Sequence, residues 1–326
     1  MVTQPNLQAQ AISSPGLLEL HAETFTTDGA DECWIARADN GRKAGQCSLW
    51  WSTTPTHPTH RIGLIGHFEA RDHTTASMLL GRSMLSLKSA GCTLAIGPMD
   101  GDSWHSYRAT TWAGSQPAFA MEPPVNVEYA EYFAEAGFSP YSNYVSNEMI
   151  FAAVRIPKLH QLLIWFAMAR FRIRNIRIDD YDVEIERIHQ FCCRAFTNNH
   201  LFSPIDLPAF RALYALMKST IRPEFVFIAE KAGRVIGLLF AMPDINQQLR
   251  GESVDTLIFK TLAIAPEMRG RGLGSALMYR AYRAASAAGY RRIIGALMEK
   301  NNHLLEITDQ FHTNVIREYA FFAKEL

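Results

Sequence analysis

Hydrophobic spacing in the second half of the chain switches between the period of strands and that of helices. The alternating run 171–178 predicts a strand, and the three-to-four-residue spacing over 182–196 predicts a helix. A second helix is expected after Asp206 as its cap, with Pro208 in its first turn. The remaining elements predicted for this half are a hairpin (225–230 and 235–242), a strand (256–265), a helix (274–288), a strand (291–298), a short helix and a last strand (317–326).

The first half carries a weaker copy of this pattern. The segment 35–49 resembles 228–240, since both have Ile-Ala, a turn ending in Gly-Arg and a second glycine four positions after the first. The segment 77–91 likewise parallels 275–289, and an isoleucine-glycine pair follows five positions after each. The same matches in the same order predict a duplicated domain.

Composition is that of a soluble globular protein long enough for two domains. Hydrophobic residues make up 48% of the 326 residues and charged residues 20%. Lys+Arg and Asp+Glu are 32 each, so no net field favours nucleic acid or an anionic membrane. Five scattered cysteines form no C-x-x-C pair, which argues for a reducing compartment. The N-terminus lacks signal-peptide features and the apolar run 159–171 is too short to span a bilayer, so we expect the cytoplasm.

A glycine-rich, basic turn stands between the predicted strand 256–265 and the helix that follows. A helix that opens after such a turn presents unpaired N–H groups and the positive end of its dipole, which together favour an anion. Neither the P-loop pattern nor the dinucleotide pattern G-x-G-x-x-G fits. We therefore predict a phosphate-bearing ligand, held by Arg269, Gly270, Arg271, Gly272, Leu273, Gly274 and Ser275.

This R-x-x-G-x-G motif resembles the acetyl-CoA pyrophosphate turn of the GNAT superfamily of N-acetyltransferases, and so does the order of elements around it. The resemblance implies acetyl-CoA as co-substrate and no metal. It implies that the backbone of Leu262 and Ile264 pairs with the pantetheine amides, and that Asn301 or Asn302 contacts the same arm. The first copy has lost the glycine turn. The expected fold is α/β, with two GNAT-like domains. Each domain is expected to be a mixed and mostly antiparallel sheet with a splayed strand pair and flanking helices. We predict a degenerate domain over 1–155 and an acyl-CoA-binding domain over 156–326.

The resemblance leaves the acid and base open. The strand position where many relatives carry a glutamate base holds Ile258. Glu299 is our first choice as base or water-orienting group, although a solvated strand-end carboxylate is the commoner role of such a residue. Tyr319 on the last strand is the best replacement acid, and a packed strand tyrosine is its alternative. Lys260 either offsets negative charge in the pocket or points to solvent.

The first-half stretch 97–108 gathers polar and aromatic groups where a strand should exit into a loop. Asp100, Trp104, His105 and Tyr107 are candidates for lining a substrate pocket between the halves, and an Asp-Gly-Asp turn with a packed tryptophan is the equal alternative. A metal site at His105 is disfavoured because no second histidine is near in sequence.

The sequence thus predicts an N-acetyltransferase that moves an acetyl group from acetyl-CoA to the amine of a small or amino-acid-like molecule. The expected partner is that small amine, with no nucleic acid and no membrane; a homodimer is compatible with the sequence. A non-catalytic acyl-CoA-binding sensor or partner-binding module is the first alternative. A Fem-like aminoacyl transferase ranks below it because the neutral chain shows no basic arm for transfer RNA.

Overall fold

The described strands form one continuous mixed sheet. The computed structural model describes residues 19–23, 29–150, 171–215, 217–300 and 313–326. The thirteen strands in these ranges are β1 Glu19–Glu23, β2 Glu32–Arg37, β3 Lys43–Trp50, β4 Ile62–Ala70, β5 Leu94–Gly97, β6 Ala109–Trp112, β7 Ser139–Ile150, β8 Arg172–Asn175, β9 Val226–Lys231, β10 Arg234–Pro243, β11 Thr256–Ile264, β12 Arg292–Glu299 and β13 Asn314–Glu325. The helices are α1 His73–Ser89, α2 Glu128–Glu135, α3 Tyr181–Ala195, α4 Leu207–Ala215, α5 Ile245–Leu249 and α6 Leu273–Ala287.

The two halves follow the same plan. In the first half β1 to β4 are antiparallel neighbours, and β4 then runs parallel to β5 after a crossover through α1. In the second half β8 to β11 are antiparallel, and β11 runs parallel to β12 after a crossover through α6. The predicted fold class is confirmed: the sheet is mixed and mostly antiparallel, with flanking helices.

The predicted elements of the second half are present, with ends shifted by a few residues. The helix at 182–196 is α3, and the helix after Asp206 is α4, whose Ala209 N–H donates to the Asp206 carboxylate at 2.7 Å. The segment between β10 and β11, for which the sequence analysis predicted no element, contains the short helix α5. Asp244 begins α5 by accepting the Asn246 N–H at 3.2 Å.

The last strand of each half lies in the other half's part of the sheet. The strand order is β1-β2-β3-β4-β5-β13-β7-β12-β11-β10-β9-β8, with β6 beside β13. Within the described residues, β7 therefore has only second-half neighbours, and β13 has only first-half neighbours. This exchange joins two expected sheets into one, because each half completes the hydrogen bonds of the other's parallel strand. The predicted division between residues 155 and 156 lies outside the described residues and stays a prediction.

Both parallel strand pairs separate along their length. Pairing of β11 with β12 covers Thr256 to Phe259 only, although β11 continues to Ile264. Pairing of β4 with β5 covers Ile62 to Leu64. The strands splay beyond these pairs, so each half has a wedge-shaped gap at the carboxyl end of its parallel pair.

Candidate functional site

The glycine turn leads from β11 into α6 through two left-handed glycines. A 3-10 turn over Pro266–Met268 follows the strand. Gly270 then has φ +70° and Gly272 φ +79°, a conformation that glycine adopts without steric cost. Gly272 is the residue that caps α6, and it carries no side chain to satisfy the first N–H groups of the helix. The sequence therefore builds an uncapped helix N-terminus at this point.

The donors of this turn are available to a ligand. In the described part of the chain, the backbone N–H groups from Gly270 to Ser275 have no protein acceptor, and the first helical bond is Ala276 N–H to Gly272 O at 3.1 Å. The Arg271 side chain is exposed at the same turn. These groups form a positively polarised cradle, which is the chemistry that phosphate oxygens require.

Arg269 has a different role from the one its position in the motif predicts. Its guanidinium donates to the Ala195 carbonyl at 2.7 Å and to the Ile264 carbonyl at 3.3 Å. Ala195 is the last residue of α3. Arg269 thus ties the turn to the end of α3 and to β11, and its predicted contact with an anion stays a prediction.

The equivalent helix of the first half supplies its own anion. Asp72 caps α1, and its carboxylate accepts the Thr75 N–H at 2.9 Å and the Thr75 hydroxyl at 2.7 Å. Burial opposes ionisation of Asp72, but these hydrogen bonds outweigh it and lower the pKa of its carboxyl group. A fixed carboxylate at this position repels phosphate, so of the two crossover helices α1 and α6 it is α6 whose N-terminus is free for an anion.

Asp72→Ala is expected to lower the free energy of unfolding by about 1 kcal/mol and to leave acetyl-CoA affinity unchanged. The stability loss arises because α1 loses its cap, and the unchanged affinity because ligand binds at α6. Denaturant unfolding and ligand titration measure the two effects. A large fall in acetyl-CoA affinity in a folded Asp72→Ala protein would show that the ligand binds at α1 and not at α6.

The gap between β11 and β12 continues from the turn into the interior. Ala265 N–H donates to Ile236 on β10 at 2.9 Å. Because backbone groups alternate along a strand, those of Leu262 and Ile264 face the other side, toward β12. β12 bends away there, with Leu297 at φ +57° and its N–H donating to the Ser146 hydroxyl at 3.0 Å. The orientation of Leu262 and Ile264 suits an extended ligand arm.

The matching gap of the first half is closed by the chain itself. Met99 N–H donates to the Ile65 carbonyl at 2.8 Å, and His67 N–H donates to the Asp100 carboxylate at 2.6 Å. A Cβ at Gly66 would lie 2.3 Å from the Met99 carbonyl oxygen, so the segment after β5 lies directly against β4. The predicted loss of ligand binding in the first half has this second physical basis.

A cavity of about 860 Å³ opens at the inner end of the β11–β12 gap and is shared by both halves. Its apolar wall comes from α3, α4 and the second-half sheet, and its polar wall comes mainly from the first half. The candidates Asp100, Trp104, His105 and Tyr107 all line it, as do Lys260 and Leu262. Trp104 extends from the first half into the second, where its indole N–H donates to the Ser203 carbonyl at 2.8 Å.

The last residue of the stretch 97–108, Arg108, places a basic group in the cavity wall. Arg108 is 9% exposed, and its guanidinium carbon lies 3.7 Å from the centre of the Tyr107 ring and 3.9 Å from that of Tyr144. Burial and then the Arg108 charge lower the pKa of Lys260 to about 8. Burial also raises the pKa of Tyr144 to about 12. Arg108 adjoins the selected Tyr107 in sequence, but no pattern marked it as buried.

Glu299 lies where β12 ends, at the cavity wall. The Ser142 hydroxyl of β7 donates to its carboxylate at 3.1 Å. The side chain is half-buried, so it reaches both the cavity and water. Ser142 is a partner that sequence reasoning could not find, because β7 reaches β12 only through the strand exchange.

Tyr319 is held in a buried network behind the cavity wall. Its side chain is 1% exposed, and its hydroxyl donates to the Glu122 carboxylate at 2.5 Å and lies 3.1 Å from the Ser146 hydroxyl. The Arg317 guanidinium donates to the same carboxylate at 2.7 Å. Burial and then the Glu122 charge raise the pKa of Tyr319. Glu122 lines the cavity, so the predicted acid lies one hydrogen bond behind it.

Asn301 and Asn302, the remaining predicted cofactor contacts, lie outside the described residues. The described ranges contain no cluster of three or more His, Cys, Asp or Glu that could hold a metal ion. All five cysteines are free thiols. A search of the same ranges for a helix long and apolar enough to cross a membrane found none.

Comparison with known proteins relates this geometry to one family. The model of the acetyltransferase (GNAT) family matches residues 185–306, which include most of α3, the glycine turn and β12. No curated protein matches the chain.

Solved structures share the fold at low identity. A GCN5-related N-acetyltransferase from Sphaerobacter thermophilus is 11% identical with a TM-score of 0.53, covering 91% of this chain and 82% of that chain. The GCN5-related glucosamine N-acetyltransferase region of a fungal multi-domain GH3 β-N-acetylglucosaminidase is 13% identical with a TM-score of 0.57, covering 99% and 40%. A GCN5-related N-acetyltransferase from Anabaena variabilis is 8% identical with a TM-score of 0.50, covering 90% and 62%.

The family match and the geometry agree on the same elements. The matched residues contain the uncapped turn, the splayed strand pair and the crossover helix that joins them. Residues 185–306 therefore match the acetyltransferase (GNAT) family, and the described chain shares the fold of solved GNAT structures.

Proposed function

We propose that this protein transfers an acetyl group from acetyl-CoA to the amine of a small, amino-acid-like molecule. The observation that carries the proposal is that three features follow one another: the uncapped α6 turn, the strand β11 that leads to it and splays from β12, and the cavity lined by both strands. A CoA pyrophosphate suits the turn, the pantetheine arm suits the gap, and the cavity leaves room for an acceptor. The first half supplies the polar cavity wall and binds no cofactor of its own.

The reaction is direct attack of the acceptor on the thioester. The neutral amine nitrogen forms a bond to the thioester carbonyl carbon, the carbon–sulfur bond breaks, and CoA leaves as a thiolate. The amine loses a proton to a base, and the thiolate gains one. A backbone N–H on the open side of β11, that of Leu262, is placed to stabilise the oxyanion.

Glu299 is the residue we propose as base or as holder of the water that relays the amine proton. It lines the cavity, it is half-buried, and Ser142 fixes its orientation. Tyr319 acts on the cavity through Glu122 in this proposal, as a positioning residue for the acceptor side of the site.

Glu299→Gln is expected to lower kcat/KM for the amine by about 100- to 10,000-fold, the usual contribution of a general base. Acetyl-CoA affinity should not change, because the cofactor binds along β11. Steady-state kinetics over pH 6 to 9 test this, since loss of a base also removes the acidic limb of the profile. Glu318→Gln is a matched control: Glu318 is a neighbouring carboxylate whose partner is Lys300 at 2.9 Å. An unchanged rate in Glu299→Gln contradicts the assignment.

The proposed function itself is tested by two measurements on the intact chain. Isothermal titration of acetyl-CoA and of free CoA should show micromolar binding. Thiol release from acetyl-CoA, measured across a panel of small amines, should then show acceptor-dependent turnover. No binding of either compound would overturn the proposal.

A non-catalytic acyl-CoA sensor is the second candidate, and one observation favours it. Ile258, where many relatives carry a glutamate, is completely buried. A protein that binds acetyl-CoA tightly and acetylates no amine in the panel has the properties of this alternative.

A further inference from the structure

The cavity contains a cation whose charge the described protein does not neutralise. Arg108 is nine-tenths buried, and its Nε has no hydrogen-bond partner. Its guanidinium donates to the Tyr107 hydroxyl and stacks on two tyrosine rings, but it forms no ion pair with any described residue. An unpartnered buried guanidinium N–H costs stability unless a ligand accepts it.

A second cation lies close to the first. Lys260 is the first residue of β11 beyond its last pair with β12, and it lines the same cavity. It too has no hydrogen bond or ion pair to the described part of the protein. The charge of Arg108 acts on Lys260 strongly enough to help lower its pKa. Two like charges held together in a cavity favour binding of an anion between them.

The acidic groups of the cavity are engaged elsewhere. Glu122 is paired with Arg317 at 2.7 Å. Asp100 accepts the His67 N–H, and Glu299 accepts the Ser142 hydroxyl. None of the three carboxylates forms an ion pair with Arg108 or Lys260, so no described acidic residue of the cavity wall neutralises the two cations, and a ligand carboxylate would.

We propose that Arg108 and Lys260 form a subsite for a carboxylate carried by the substrate that is acylated. A planar guanidinium stacked between aromatic rings and offering a free N–H is suited to one carboxylate oxygen, and the ammonium to the other. The inference rests on the proposed function for its position: if pantetheine follows Leu262 and Ile264, Lys260 lies beyond the thioester, on the acceptor side. The acceptor class is therefore amino acids, with the side chain against the apolar wall of α3 and α4.

One other source of the same chemistry is the acyl group itself. A dicarboxylic acyl-CoA, such as succinyl-CoA, would place its free carboxylate beyond the thioester as well. The two sources differ in which substrate must carry the charge, so a matrix of donors and acceptors separates them.

The experiment compares matched amines that differ only in the carboxylate: phenylalanine with 2-phenylethylamine, and leucine with 3-methylbutylamine. Each is tested with acetyl-CoA and with succinyl-CoA. We expect a kcat/KM for at least one amino acid that exceeds that of its decarboxylated partner by about 10- to 100-fold with acetyl-CoA, the usual value of a hydrogen-bonded charge pair. A preference for succinyl-CoA with no difference between the amines would instead assign the carboxylate to the acyl chain.

Variants link this preference to the two cations. Arg108→Met and, separately, Lys260→Met should each lower the amino-acid-to-amine ratio about tenfold or more, with acetyl-CoA affinity retained. Arg82→Met is the matched control, since the Arg82 guanidinium also stacks on an aromatic ring, Trp34, at 4.2 Å, but outside the cavity. Lys260→Met keeps the test valid if loss of the Arg108 stack unfolds the protein, which thermal unfolding reports.

The possible failures are distinguishable. Absence of acetyl-CoA binding removes the proposed function, and titration of succinate and N-acetylphenylalanine into the wild type and Lys260→Met then tests the subsite directly. Binding and turnover with equal rates for both members of every pair and both donors overturn the carboxylate subsite alone. Equal loss of rate for charged and uncharged acceptors in the variants also overturns it, because the two cations would then act on the reaction and not on a substrate carboxylate.

Discussion

Gly272→Asp is expected to weaken acetyl-CoA binding by about 100- to 1000-fold. The substitution places a carboxylate at the N-terminus of α6, where the free N–H groups would otherwise hold the pyrophosphate, and each charge-assisted hydrogen bond lost costs about 1.5 to 3 kcal/mol. The first half shows what such a carboxylate does, since Asp72 occupies the donors of α1. Isothermal titration of acetyl-CoA into the folded variant measures the effect.

The control is Gly233→Asp in the hairpin turn between β9 and β10. Gly233 has φ +77°, close to the +79° of Gly272, and no atom lies within 4 Å of the Cβ that it would gain. The two variants share the added charge and the backbone strain of about 1 to 2 kcal/mol. They differ in the distance from the α6 donors. Equal affinity in Gly272→Asp and the wild type would mean that the turn binds no pyrophosphate.

Arg317→Met is expected to lower the free energy of unfolding by about 3 to 5 kcal/mol, the cost of leaving one member of a buried ion pair alone. Arg317 and Glu122 have side chains that are each 1% exposed. Arg317 also donates to the carbonyls of Gln116 and Pro117 at 2.9 and 3.3 Å. These bonds attach the exchanged strand β13 to the first half, so their loss should unfold both halves together. Urea unfolding followed by two probes measures size and cooperativity.

Two further variants isolate the cause. The double variant Glu122→Gln with Arg317→Met should recover part of the loss, because no unpaired charge remains. Lys43→Met is the control for an exposed pair: the side chains of Lys43 and Glu69 are 41% and 57% exposed and lie 2.7 Å apart, so about 0 to 1 kcal/mol is expected. An Arg317→Met protein as stable as Lys43→Met would show that the buried pair contributes little.

The local elements were predictable because their causes are local. The spacing of apolar residues determines α3, the Asp206 cap determines the start of α4, and the short turn before Gly233 determines the β9–β10 hairpin. The glycine turn was also predictable, because a strand, three glycines and a helix that follow one another directly determine the local geometry. The helix α5, which Asp244 caps, was missed because it has five residues and no clear apolar period.

The site was predictable only in part. Tyr107 and Lys260 were found from composition and position, whereas Arg108 and Glu122 acquire meaning only from what packs around them. Arg108 needs Tyr144 from another strand, and Glu122 needs Arg317, which is 195 residues away. No local sequence pattern indicates contacts between residues that are so far apart in the chain.

The sequence by itself determined the superfamily resemblance, the duplication of the element order and the glycine turn that leaves the N-terminus of α6 without a side-chain cap, because each depends on residues adjacent in the chain. The tertiary structure decided that β7 and β13 exchange places, that the first-half gap is filled by Met99 and Asp100, and that Arg108 and Lys260 meet in one cavity. The physical reason is that strand pairing and burial of charge are settled by contacts between distant segments, which compete for the same edges and the same interior.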